Sequence, residues 1–471
     1  MGGVDLQTAT IPELEVEMAA GRLTSVELVD AYLARIGAYD VSGPKLNAVR
    51  ELREEARADA AALDAERQAG QVRGPLHGIP MLLKDNIGTA DTPTTAGSQA
   101  LEGVIPEHDA VVTQRLRDAG AVILGKANLS EFAGWVDLDM PPGYSSLGGQ
   151  VVNAYDFGLS PGGSSAGSGV ATSMALATAA IGTETSGSIL NPSQASSLVG
   201  VKTTHGLIST AGILPLAPSF DVPGPIARSV TDAATVLGAL AGGDYTTGLS
   251  PDALPGVRLA YDADARNSLG DEELALFDDA IARLERLGAT VVAVENSLSQ
   301  FAGLPELAAI PNEFKASLNR YLAEEMPDAD VKTLDDIVAY NRAHPERMKY
   351  GQDLLEASNL SPGLEALFPA QAEPTRVLAR EEIDRVLADA DADAIITPGL
   401  AHANAGAAAG YPTVIEPLGY VSEGTEPVGL SFLGGANSEA HLLAYAYAFE
   451  QDANVRVPPT DVNPELAPGP C

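Results

Sequence analysis

One cysteine, Cys471, occurs among 471 residues, and it is the last of them. Internal disulfides, cysteine-rich zinc sites and a cysteine nucleophile within the fold are thereby excluded. Histidine is also scarce, with six residues at 77, 108, 205, 344, 402 and 441. None falls in an HExxH pattern or another ligand spacing, so no metal is expected. Basic residues are the next shortage: 28 Lys and Arg stand against 64 Asp and Glu, a formal charge of −36. That field repels nucleic acid and anionic membranes, so neither is expected as a partner. It reads first as a solubilising surface and argues mildly against highly anionic substrates. No apolar run reaches the length of a membrane span. The longest, around Ala175, lies between Gly169 and Gly182 and is broken by Thr172, Ser173 and Thr178. The opening MGGVDLQTATIPE lacks the charged and apolar regions of a secretory signal, and Leu6 breaks the myristoylation pattern. A cytoplasmic chain is expected.

What remains is enough chain for one large domain or two to three smaller ones. Thr24-Ser25-Val26-Glu27 is a capping box, and Val26, Val29, Leu33 and Ile36 follow at helical spacing. Residues 51–70 read as a second helix. Met81-Leu82-Leu83 reads as a short buried strand ending on Lys84, and residues 110–125 as a helix and a strand. Residues 176–182 read as a buried strand, 226–241 as a helix, and 257–298 as strand, helix, strand. From about 300 to 385 the pattern is mostly helical, cut by Pro311, Pro327, Pro345 and Pro362. This predicts a helical subdomain or lid inside an α/β chain. The end returns to strands in DAIITPG and PVGLSFLG and a helix in HLLAYAYAFEQ, and the tail from Val457 is expected to be extended.

The chemistry concentrates in PGGSSAGSGVATSMALATAAIGTETSGSILNP, residues 161–192. Two Gly-Ser knots, around Ser164 and around Ser188, bracket a run of small residues. Glycine turns let amides face a ligand, and serine offers a hydroxyl without bulk. Gly163-Ser164-Ser165-Ala166-Gly167 matches the G-x-S-x-G elbow by letter, so a histidine triad stays open, with His205 and then His77 as candidate bases. A lysine-driven alternative is equally physical: a buried lysine that loses its charge takes a serine proton. Lys84 is the candidate, although snorkelling or pairing with Asp85 accounts for it as well. Ser188 suits the nucleophile, with the amides of Thr185, Ser186, Gly187 and Ser188 gathered around an oxyanion; helix capping is its plain structural role.

The chain resembles the amidase signature family of serine hydrolases. GGSSAGSGVA and GTETSGSILNP are similar to its two serine segments, with Ser164 and Ser188 twenty-four residues apart as in the family. PLHGIPMLLKDNI resembles its lysine strand, and ILGKANLSEF, VGVKTTHGLIS, GILPLAPSFDVPGPIARSVTDA and PVGLSFLGG match further segments. The likeness covers nearly the whole chain, most weakly over 300–385. It implies one amidase domain over 1–471, a large mixed sheet covered by helices on both faces, and no metal or cofactor. It implies Lys84 as base, Ser164 as bridging serine behind a cis Gly163–Ser164 peptide, Ser188 as nucleophile and Ser165 in support. Proton transfer from Ser188 through Ser164 to neutral Lys84 would precede an acyl-enzyme. Two departures bear on substrate. Ser186 replaces a common glycine, and Leu190 replaces an arginine able to grip a carboxylate. Neutral, largely apolar amides are therefore expected, with carbamates and esters open to the same machinery. TETxGS is similar to the peptide-amidase branch. Phe132, Trp135 and Met140 are expected, with Leu190, to line part of the substrate site. A monomer or homodimer is expected; the alternatives are an ammonia-delivering component of an amidotransferase and a non-catalytic scaffold.

Overall fold

The computed structural model describes residues 3–295, 298–301, 303 and 308–466. Its strands are β1 Val49–Leu52, β2 Pro80–Lys84, β3 Val122–Ala127, β4 Tyr144–Ser145, β5 Gly149–Gln150, β6 Ala179–Glu184 and β7 Val199–Lys202. They continue with β8 Val222–Ala227, β9 Arg258–Asp262, β10 Thr290–Val294, β11 Ala394–Pro398, β12 Thr413–Val421 and β13 Glu426–Leu433. Among the described residues eleven form one mixed sheet, in the order β1-β3-β2-β6-β8-β7-β12-β13-β11-β9-β10, and β4 with β5 makes a small hairpin. β2 runs parallel to both β3 and β6. All three are buried along their whole length, as parallel strands covered on both faces must be. The carboxyl ends of β2 and β6 lie side by side, and those ends are Lys84 and Glu184.

Capping residues set the helix starts. Thr24 and Glu27 form the expected box, and Thr10 with Glu13 forms a second. Three expected boundaries move. A strand, β1, precedes the helix Ala56–Gln68, because Val49-Arg50-Glu51-Leu52 finds an edge position on β3. The helix expected over 226–241 starts at Val230, where the Ser229 hydroxyl accepts from Asp232 N. The residues before it form β8 despite Pro223 and Pro225. Those prolines are two apart, so their missing donors fall on one edge of the strand, and pairing to β7 begins only at Ile226. The tail is not extended throughout: Pro459–Val462 and Pro464–Leu466 are helical turns, and Cys471 lies outside the described residues.

From Ile310 to Ala390 the described elements are all helical, the longest being Ile310–Glu325 and Phe368–Ala390. Phe314, Leu318, Leu322, Ile337 and Leu355 pack there against Phe132, Trp135, Leu216 and Phe220 in an apolar cluster separate from the main core. No helix among the described residues is long and apolar enough to cross a membrane.

One buried acidic group yields a stability prediction. Glu416 on β12 is 1% exposed, and its Oε1 has no partner among the described residues. Burial and the neighbouring Glu450 push its pKa well above the carboxylate range, and burial lifts Glu450 to about 7. Carboxyls with raised folded pKa values stabilise the fold below the unfolded value, and that contribution is lost as pH rises through the folded one. Glu416→Gln is therefore expected to raise the unfolding free energy at pH 8–9 by on the order of 1 kcal/mol or more, and to do little at pH 4. Thermal melts at both pH values check this; equal shifts at both would contradict it.

Candidate active site

Lys84 closes β2 and is 0% exposed. It does not snorkel, and it does not pair with Asp85, whose carboxylate is held by Arg50 Nε at 2.5 Å. Its Nζ lies 2.7 Å from Ser164 Oγ and donates to the Thr183 carbonyl of β6 at 3.0 Å. Burial brings its pKa down from the ordinary lysine value to about 7, partly offset by the charges of Asp221 and Glu184. Desolvation disfavours the ammonium, so near neutrality the amine is available as a base.

Ser164 is reached through a cis peptide from Gly163. Its carbonyl accepts from Ser130 N at 3.0 Å. Ser165 stands at the head of the helix Ala166–Ser173, which is buried at every residue. Its hydroxyl accepts from Thr183 N at 3.3 Å and donates to Thr183 O at 3.2 Å. Gly167 explains why this helix begins with small residues. A Cβ there would stand 2.3 Å from Ala48 O and 2.4 Å from Asn128 O, so a side chain would push the serine knot off the sheet.

The two knots meet directly, Ser165 N donating to Ser188 O at 3.2 Å. Ser188 is 9% exposed. Among the described residues its hydroxyl has no hydrogen-bond partner. The loop from Thr185 to Ser188 turns through Gly187 at φ +76°, a conformation open to glycine at little cost. Glu184 braces the far side of that turn, its Oε2 accepting from Ile189 N at 2.7 Å and Leu190 N at 3.1 Å. The Gly187 amide also faces this carboxylate and, with those two amides, opposes the rise that burial causes in its pKa. The amides of Thr185, Ser186 and Ser188 bond to nothing among the described residues. Three unspent donors beside one serine are a ready anion receptor. The Gly187 amide, the fourth anticipated from sequence, faces Glu184 but makes no hydrogen bond to it of the kind that Ile189 and Leu190 make. The Ser186 hydroxyl donates to Asn404 Oδ1 at 2.9 Å, tying the loop to the helix Ala403–Ala409.

The other anticipated residues have these surroundings. Leu190 is 0% exposed and packs with Ala403 and Ile415. Phe132 meets Phe314 edge-on at 5.7 Å, and Trp135 Nε1 donates to Ser358 Oγ at 2.8 Å. Met140 rests on the same cluster. These contacts seat the helical region on the sheet. The candidate bases of a histidine triad are occupied too: His77 bonds to Leu63 O and accepts from Arg73 N, and His205 bonds to Pro218 O.

Sequence reasoning did not find Asp221. Its Oδ1 accepts from Thr185 Oγ1 at 2.6 Å, and its Oδ2 from Leu216 N and Ala217 N at 2.8 and 2.9 Å. The only signal was its place in a family-like segment; nothing local links it to a serine 33 positions away.

This geometry can be set beside known proteins. A family model described as Amidase matches residues 27–407. A probable amidase of Arabidopsis thaliana is 37% identical, over 96% of this chain and 92% of its own length. A putative amidase of Schizosaccharomyces pombe is 34% identical, over 95% and 85%. A glutamyl-tRNA(Gln) amidotransferase component of Synechococcus sp. (strain CC9902) is 32% identical, over 96% and 98%. The X-ray structure of native peptide amidase from Stenotrophomonas maltophilia superposes with a TM-score of 0.91 at 42% identity, covering 96% of this chain and 98% of that one. With its mixed eleven-stranded sheet and its paired serine segments, the chain belongs to the amidase signature family of amide-hydrolysing enzymes.

Proposed function

We propose that this protein hydrolyses neutral carbon–nitrogen amides through an acyl-enzyme on Ser188, with Lys84 as base and Ser164 as proton bridge. The observation that carries the reading is the 2.7 Å approach of the buried Lys84 Nζ to Ser164 Oγ. A protonated lysine would donate to that hydroxyl, whereas a neutral one accepts its proton. Ser188 attacks the carbonyl carbon, its proton passing through Ser164 to Lys84. The oxyanion takes the amides of the turn Thr185 to Ser188. The proton returns to the departing amine as the C–N bond breaks, and water then cleaves the ester by the same path in reverse. Among the described residues no hydrogen bond joins Ser164 to Ser188, and proton transfer requires that link to close.

Substrate selection follows from charge. The position that carries an arginine in many family members is Leu190 here, a side chain with no group to grip a carboxylate, so the acyl group is neutral. The likeness to peptide amidase favours an amidated peptide terminus; a carbamate or ester offers Ser188 the same carbonyl. A panel of p-nitroacetanilide, a C-terminally amidated dipeptide, an aryl carbamate and a p-nitrophenyl ester tests this with the purified single chain. The amidated dipeptide is expected to give the higher kcat/KM of the two amides. Turnover of none of the four without a partner protein would favour an amidotransferase-type component or a scaffold.

A further inference from the structure

Asp221 is a carboxyl beside the site that the proton path leaves unused. Its position follows from sheet register. β6 and β8 are antiparallel, and their last registered pair is Glu184 with Val222. Thr185 leaves β6 just where Asp221 enters β8, so the two side chains are brought opposite each other. Asp221 also stands between two cavities. An inner one of about 10 Å³ is lined by Asn86, Thr183 and Thr185, and an outer cleft of about 510 Å³ by Ser317, Arg320 and Tyr321.

We propose that Asp221 is a positioning residue, whose carboxylate clamps Thr185 to Leu216 and Ala217 and presents a negative charge to Lys84. The inference rests on the reading of Lys84 as the base. The clamp uses three acceptor contacts of 2.6 to 2.9 Å on one carboxylate. It fixes the first residue of the loop whose amides face the oxyanion, so its loss is felt in the chemical step more than in substrate binding. The charge has a second effect. Lys84 faces two acidic groups, Asp221 and Glu184, against the burial that depresses it. Asp221 in turn faces Lys84 and Glu313, and Glu313 faces Arg376, which contacts Ser219 and Phe220 just before Asp221. Removing the Asp221 charge leaves the other groups in place and makes the ammonium form of Lys84 harder to hold. The amine then stays neutral to lower pH, and the acid limb of the rate profile moves with it.

The experiment compares pH profiles of kcat and kcat/KM for wild type, Asp221→Asn, Thr185→Val and Lys84→Met on the best amide of the panel. Asp221→Asn is expected to move the acid limb of kcat/KM down by about half a pH unit or more and to lower kcat about tenfold. Thr185→Val removes one arm of the clamp but keeps the charge, so kcat falls while the limb stays. Asp221→Asn with a wild-type limb and wild-type kcat would overturn the proposal, as would a loss confined to KM. If Asp221→Asn does not fold, Thr185→Val decides: unchanged kcat there overturns the clamp, and a fall in kcat at constant limb supports it. Wild-type turnover in Lys84→Met would instead remove the functional reading on which this inference rests.

Discussion

Ser188→Ala is expected to lower kcat on any amide substrate by about 10⁴-fold or more, with the fold unchanged. The size of the effect comes from the kind of step removed. Without the hydroxyl no acyl-enzyme forms, and the oxyanion amides and bound substrate retain only the residual rate that positioning provides. Stability should hardly move, because the Ser188 hydroxyl has no hydrogen-bond partner among the described residues. Its loss leaves no group unsatisfied, so a change within about 0.5 kcal/mol is expected. Steady-state kinetics with a thermal melt of the same preparation makes the test. Turnover that survives the substitution would move the nucleophile elsewhere, and Ser165 would be next, since it is the central serine of Gly163-Ser164-Ser165-Ala166-Gly167.

The second large effect concerns Lys84. Wild-type kcat/KM is expected to rise with pH through an apparent value near 7, where burial places the lysine, because the ammonium below that value accepts no proton. Lys84→Arg keeps a cation on a side chain that does not deprotonate in proteins. It is expected to lose at least about 10³-fold in kcat across the whole pH range. Lys84→Met removes the base as well, but its stability signature is opposite to that of Glu416→Gln. A lysine whose folded pKa is depressed stabilises the fold fully above its unfolded value, and that contribution is lost as pH falls towards 7. Lys84→Met should therefore gain stability over wild type at pH 6–7 and lose that advantage near pH 11. A rate profile flat from pH 5 to 9, or an active Lys84→Arg enzyme, would rule out the lysine as base.

Ser186 shows how much of this site was legible and how much was not. The hydroxyl two residues before Ser188 is plain in GTETSGS, but its bond to Asn404 crosses 218 positions. Leu190 teaches the same lesson from the other side. Its lack of a group to grip a carboxylate is plain in the sequence, whereas its packing on Ala403 and Ile415 is not. Trp135 and Phe132 read as loop aromatics, and their packing against the helical region was not legible. Element types were legible wherever a cap or an apolar period marked them, as at Thr24 and along β2. β8 escaped because two prolines in six residues look like a turn, and only pairing to β6 makes them a strand.

The sequence by itself determined which reactive groups this protein owns: two serine knots, a lysine at the end of an apolar strand, no internal cysteine and a large negative charge. Those are properties of composition and of short spacing, and they hold before any folding. Only the tertiary structure decided that Lys84 is dry, that Ser164 rather than Asp85 is its neighbour, and that Asp221 stands opposite Thr185. The reason is the order β2-β6-β8. It places residues far apart in the chain on adjoining strand ends. Burial and register both follow from that order, which no local periodicity encodes.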